Sequence, residues 1–287
     1  MPKRTRWKVQ ERRVERKEAP AAAREAIGRG AAGAVTSWGS GVDHRETLRI
    51  FWEAKPSVLK VMNPEEIAAS DDLVEEDWTQ YWRASLKPFT AGPRFVLVPS
   101  WDTPPADSAR KAIFIDPGMA FGAGDHPTTR LCVGMLDEMA ARAPVKGPMI
   151  DIGAGTGVLS VAAALLGFTE VDALDIDPFC YASCRRNIAA NGLKGLVRPV
   201  LSSLDLLEGT YPLALANVAP RQIESMAALI ARTVRPGGLI ILSGFGRAEE
   251  DRVMLGLGAQ FKTVRKSYEE EWVALLAERG GGDPWPM

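Results

Sequence analysis

The chain has 287 residues, 46% of them apolar and 25% charged, with 35 Lys and Arg against 36 Asp and Glu. That length suits two domains, and the composition excludes a disordered chain, a collagen and a disulfide-stapled mini-protein. The formal net charge of −1 excludes a whole-protein basic field for gripping nucleic acid, three Cys give no disulfide framework, and no apolar run nears the ~20 residues of a membrane span.

The basic N-terminus (Met1-Pro2-Lys3-Arg4-Thr5-Arg6) leads into no apolar segment, so no secretory signal is read and a cytoplasmic protein is expected. Residues 6–62 read as a small α+β unit. Trp7-Lys8-Val9 and Leu48–Trp52 alternate as strands do, and the Ala-rich stretch Ala19–Gly30 between them is helix-compatible. Asn63-Pro64-Glu65-Glu66 carries helix-start chemistry, and residues 63–90 read as a helical connector. Its acids (Glu65, Glu66, Asp71, Asp72, Glu75, Glu76, Asp77) contrast with the basic first thirty residues. Arg94–Ser100 and Ala112–Ile115 are expected strands. From about residue 126 strands alternate with helices: Met149–Ile152, Val158–Leu166, Val171–Ile176, Pro178–Asn191, Leu213–Asn217, Pro220–Val234 and, after a Pro236-Gly237-Gly238 turn, Leu239–Ser243. Phe261–Lys266 and Trp272–Ala277 are candidates for a closing hairpin. The alternation implies a parallel α/β sheet covered on both faces, with ligands at the carboxyl ends of the strands. The expected division is 1–62 for substrate recognition, 63–110 for the connector and leading strands, and 111–287 for the cofactor domain.

Asp151-Ile152-Gly153-Ala154-Gly155-Thr156-Gly157 follows a strand and opens a helix. The spacing Gly-x-Gly-x-Gly differs from the dinucleotide Gly-x-Gly-x-x-Gly, in which helix N–H groups hold a pyrophosphate. The leading acid, Asp151, suits a ligand with positive charge and no phosphate, and S-adenosylmethionine is such a ligand. Asp175, at the next strand end, is placed to accept hydrogen bonds from two ribose hydroxyls, and Ile176 to pack on adenine.

Ile115-Asp116-Pro117-Gly118-Met119-Ala120-Phe121-Gly122-Ala123-Gly124-Asp125-His126-Pro127-Thr128-Thr129 resembles the signature stretch of the ribosomal protein L11 methyltransferase (PrmA) family. Glu76-Asp77-Trp78, Lys87-Pro88-Phe89, Arg94–Trp101 and Leu242-Ser243-Gly244 add to the likeness, which covers roughly residues 75–280. The resemblance implies a Rossmann-like, seven-stranded S-adenosylmethionine-dependent methyltransferase sheet with a small ferredoxin-like N-terminal domain. It implies that Thr129, Gly153, Asp175 and Asn217 contact the cofactor, that Asn217 lies by the methyl group, and that Phe121 sits in a covering loop. It implies methylation of an N-terminal α-amine and of lysine side chains of one ribosomal protein. Two stretches depart from the family pattern. Gly122-Ala123-Gly124-Asp125-His126 stands where Gly-Thr-Gly-Thr-His is usual, and Asn217-Val218-Ala219-Pro220 where the family has Asn-Ile-Leu.

Methyl transfer from a sulfonium needs a free lone pair in line with the methyl more than it needs a strong base. A lysine ε-amine gives up its proton at neutral pH at a cost of ~4 kcal/mol, which desolvation beside a like charge offsets. Asn217 is therefore the candidate catalytic residue, orienting the acceptor nitrogen. Base-amine methyltransferases place a stacking aromatic at the position of Pro220, so a protein substrate is expected in preference to nucleic acid. Another protein lysine, an RNA base and a non-catalytic binding module stay open as alternatives. A nicotinamide oxidoreductase also remains, disfavoured by the glycine spacing. No metal is expected: Cys180 and Cys184 share a helix face without a second ligand pair, and the chain has two His. His126 reads as a loop or cap residue, Trp38 and Trp52 as core before docking, and the protein as a monomer without a membrane partner.

Overall fold

Apolar side chains divide by parity along the central strands. Met149, Leu213, Leu215, Leu239 and Ile241 face one layer, while Ile150, Ile152, Ala214, Ala216, Ile240 and Leu242 face the other. A strand with both faces apolar is stable only between two layers, and this alternation builds the α/β sandwich. The computed structural model describes residues 6–36, 45–53, 71–74, 86–106, 109–116, 124–142 and 147–281.

The strands are β1 (Arg6–Glu15), β2 (Gly33–Thr36), β3 (Arg45–Glu53), β4 (Asp71–Val74), β5 (Phe89–Ala91), β6 (Phe95–Pro99), β7 (Lys111–Ile115), β8 (Met149–Ile152), β9 (Val171–Asp175), β10 (Val197–Ser202), β11 (Tyr211–Asn217), β12 (Val234–Gly246), β13 (Phe261–Glu269) and β14 (Trp272–Arg279). The helices are α1 (Ala19–Gly28), α2 (Pro127–Arg142), α3 (Val158–Leu165), α4 (Pro178–Ala190), α5 (Pro220–Thr233) and α6 (Glu250–Leu257). An eleven-stranded sheet runs β13-β14-β12-β11-β8-β9-β10-β2-β3-β1-β4. Strands β10, β9, β8, β11 and β12 are mutually parallel, and β14 runs antiparallel between β12 and β13. Helices α2, α3 and α4 contribute to the layer on one face and α5 and α6 to the other. A second sheet, β5-β6-β7, packs on the α2–α3 side.

The N-terminal strands continue the main sheet. Leu201 and Ser202 of β10 pair in parallel with Gly33 and Ala34 of β2. At this seam the Thr36 N–H donates to Ser203 Oγ at 3.1 Å, and the Thr36 hydroxyl reaches the Asp205 carboxylate at 2.8 Å. Gly33 is required there, since a Cβ would fall 2.0 Å from Leu201 O. Trp7 and Phe51 bury their rings against Ala182 and Leu201, with Tyr181 edge-on to Trp7 at 6.1 Å.

Several expectations need correction. Residues 71–74, read as part of a helical connector, form an edge strand on β1, pairing Asp71–Val74 with Val9–Arg6. Residues 89–91 are likewise a strand. Long-range pairing overrides the acidic, helix-start composition here. Asn63–Glu66, Trp38, Trp78, Trp82 and His44 lie outside the described residues. The Pro236-Gly237-Gly238 turn is absorbed into β12 as an irregularity in its register with β11. Trp52 is fully buried and belongs to the core.

Candidate functional site

The carboxyl ends of β8, β9 and β11 open into a cavity of about 460 Å³, within the usual range for a small-molecule site. Its wall includes Thr129, Gly153, Gly155, Asp175, Ile176 and Asn217, which the sequence reading nominated. It also includes residues that the sequence reading did not nominate, among them Leu204, Gln222 and Trp272.

The glycine loop is built by backbone. Gly153 and Ala154 both donate to Leu174 O at 2.9 Å, stitching the loop to β9. Gly153, Gly155 and Gly157 have φ of 76°, 55° and 80°, the left-handed region that glycine enters without penalty. Gly157 precedes α3 and is not among the residues that line the cavity; a Cβ there would lie 2.5 Å from Cys184 Sγ.

Asp175 ends β9 half-buried. Its Oδ2 accepts from Gly155 N–H at 2.8 Å and its Oδ1 from Asp177 N–H at 2.9 Å. Burial raises its pKa, and the backbone donors oppose that rise. Each oxygen keeps acceptor capacity for a diol at the cavity edge. Ile176, 51% exposed, lies beside it as an apolar shelf.

Asp151 sits behind the wall, 1% exposed, and accepts from Ser160 Oγ at 2.6 Å. Burial pushes its carboxyl up to about 7, the Ser160 hydroxyl lowers it, and the Asp175 charge raises it. Asp151 therefore lies under the loop rather than among the residues that line the cavity. Asn217, half-buried at the end of β11, has no hydrogen-bond partner for its side-chain amide among the described residues. Next to it, Gln222 Oε1 accepts from Ala219 N–H at 3.1 Å and caps α5.

Thr129 is 2% exposed in the first turn of α2. His126 precedes that helix, with Nδ1 2.8 Å from Thr128 Oγ1 and 3.3 Å from the Thr128 N–H that donates to it. Its ring meets Trp272 edge to face, centroids 4.5 Å apart. Asn187 of α4, also unforeseen, accepts from Asp116 N–H at 2.8 Å and donates to Thr156 O at 2.9 Å. It ties the head of the signature stretch to the glycine loop. A buried amide in an otherwise apolar helix face is the signal that would have found it. Phe121 lies outside the described residues.

Among the described residues the lining presents no Lys or Arg to pair with a phosphate. Among the described residues no cluster could hold a metal ion, and Cys180 and Cys184 are buried and form no disulfide.

A family model for ribosomal protein L11 methyltransferase (PrmA) matches residues 40–280. A ribosomal protein L11 methyltransferase of Pelobacter propionicus is 36% identical over 207 residues, 71% of this chain and 67% of its own. One of Pelotomaculum thermopropionicum is 38% identical over 216 residues, covering 75% and 69%. Against such relatives the match spans about two thirds of their length, falling to 61% for that of Trichlorobacter lovleyi. The solved structure of a ribosomal protein L11 methylase from Lactobacillus delbrueckii subsp. bulgaricus superposes with a TM-score of 0.59 at 27% identity, covering 68% of this chain and all of that one.

Proposed function

The chain belongs to the ribosomal protein L11 methyltransferase (PrmA) family, and from that premise we propose that its cavity binds S-adenosylmethionine and methylates amines of ribosomal protein L11. One observation carries the reading: the glycine loop and the Asp175 carboxylate form a single hydrogen-bonded unit in a cavity whose wall, among the described residues, has no Lys or Arg. That donor set fits a phosphate-free, cationic nucleoside. Asp175 would take the ribose hydroxyls, Ile176 and Leu204 the adenine, and Gly153 with Thr129 the amino-acid end. Asp151 would supply negative charge from behind the loop. When bound, the group supplies an electrophilic methyl on a sulfonium.

The acceptor nitrogen needs its lone pair free and aimed. Asn217 supplies an unpartnered side-chain carbonyl to accept an N–H hydrogen and so turn the lone pair inward. The partly dry cavity favours the neutral amine over the ammonium.

Residues 1–62, joined to the cofactor domain edge to edge, serve as the recognition unit in this reading, with 63–110 between it and the catalytic residues 111–287. A monomer is part of this reading. Among the described residues no helix is long and apolar enough to cross a membrane, and a ribosomal substrate implies the cytoplasm.

The test is transfer of labelled methyl to purified L11 and to ribosomes lacking the modification, read by mass spectrometry. Mass steps of whole methyl groups on L11 support the reading. Label on RNA alone, or cofactor binding without transfer, overturns it.

A further inference from the structure

The cavity has a second end. Asp175 stands on β9, while Gly244 is on β12 and Trp272 opens β14, with β8 and β11 between the two ends. Among the described residues the Trp272 end has no carboxylate in its wall: of these, Asp175 is the one acid lining the cavity, and β8, β11 and β12 lie between its strand and that of Trp272. Glu269, close by in sequence, is held by Arg130. A positive charge at this end therefore meets no counter-ion in the wall.

It meets an aromatic ring instead. Trp272 is partly buried against the core, and the His126 ring meets it at 72° with centroids 4.5 Å apart. His126 is itself held, because its Nδ1 accepts from the helix-start N–H of Thr128. The indole is thus fixed in the same wall as the unpartnered amide of Asn217.

Resting on the amine-methylation reading, we propose that Trp272 forms the acceptor subsite and holds the substituted ammonium ion by cation–π attraction. In each transfer the amine lone pair forms the N–C bond as the C–S bond breaks, and the positive charge passes from sulfur to nitrogen. The mono- and dimethylammonium ions then release a proton to solvent before the next cycle, and the trimethylammonium product has none to release. As methyls replace hydrogens, the nitrogen loses donors for Asn217, while the Trp272 π face still attracts it.

The test is a binding measurement with two probes: acetyl-Nε,Nε,Nε-trimethyllysine amide and its neutral isostere with carbon in place of the ε-nitrogen. Each is titrated into the full chain saturated with S-adenosylhomocysteine, following the indole N–H signal that is missing from the Trp272→Phe spectrum. The expected result is tighter binding of the cation by about tenfold. Trp272→Leu abolishes that preference, Trp272→Phe keeps part of it, and both keep the wild-type S-adenosylhomocysteine Kd. Equal affinity for the two probes in the wild type, or an undiminished preference in Trp272→Leu, overturns the proposal. Should Trp272→Leu fail to fold, the wild-type comparison and the Phe variant decide alone. Failure of the wild type to methylate any amine would instead remove the functional reading on which this subsite rests.

Discussion

Asp175 Oδ2 accepts the Gly155 N–H at 2.8 Å, so the carboxylate at the end of β9 and the glycine loop after β8 hold each other in place. Replacing Asp175 with Ala removes acceptors for the ribose and also frees the loop. S-adenosylmethionine binding is expected to weaken several-fold to about a hundredfold, the equivalent of ~1–3 kcal/mol. Asp175→Asn, which keeps one acceptor oxygen, should fall between. Isothermal titration measures both, and an unchanged Kd for Asp175→Ala would remove the site map.

Asn217→Ala should lower kcat by about a hundredfold, the scale of losing one pre-oriented polar group at a reacting centre. The S-adenosylhomocysteine Kd should move far less, because the loop and Asp175 remain. Steady-state kinetics on L11 alongside titration separates the two effects. A wild-type kcat in this variant would mean that another group aims the nitrogen.

Asp151 gives a pH dependence of definite sign. Burial raises its folded pKa to about 7, above its value in the unfolded chain. Between the two values the folded state holds a proton that the unfolded state has lost, so stability falls as pH rises through that window. The accumulated penalty above neutral pH is roughly 4 kcal/mol. The groups around it are the Ser160 hydroxyl, which lowers its pKa, the Asp175 charge, which raises it, and the buried thiols of Cys132 and Cys184. Asp151→Asn removes the ionisation. The variant's melting temperature should therefore exceed the wild type's at pH 8 by several degrees, with the gap closing toward pH 5. At pH 8 the same variant should bind S-adenosylmethionine more weakly, having lost a negative charge behind the sulfonium site. Thermal melts of the cofactor-free protein across pH, compared between the two proteins, provide the check.

Gly157 has φ of 80°, and a Cβ there would lie 2.5 Å from Cys184 Sγ. Gly157→Ala combines left-handed strain with overpacking and should cost ~2–4 kcal/mol of stability. Adding Cys184→Ala opens space but leaves the backbone strain, so partial recovery is expected. Urea denaturation of the single and double variants tests this, and full recovery would show that the clash alone matters.

The stretch from β8 to α4 was legible because its signals are local. A short apolar strand, a glycine run, an apolar helix and an acid at the next strand end all fall within a few dozen residues, and each limits the others. Strands β2 and β4 were not legible, being four residues each and owing their existence to pairing with distant strands. β10 carries Pro199, which reads as a break in a strand, yet it pairs with β9 through the same register. The Trp272 end of the cavity was hidden for a topological reason. Trp272 follows Asn217 by more than fifty residues and reaches the cavity because β14 runs back antiparallel beside β12. Composition carries no trace of that return. Asn187 and Ser160 were passed over because a polar residue in an amphipathic pattern reads as solvent-facing until packing shows otherwise.

The seam between β10 and β2 makes the N-terminal strands and the cavity-bearing part of the sheet mutually dependent. Stripped of residues 6–53, β10 would present bare amides and carbonyls along an uncovered border, and the apolar patch around Leu201 and Ala182 would face water. A shortened catalytic core would then be a self-adhesive particle, inclined to pair with copies of itself through the very border that the N-terminal strands now occupy.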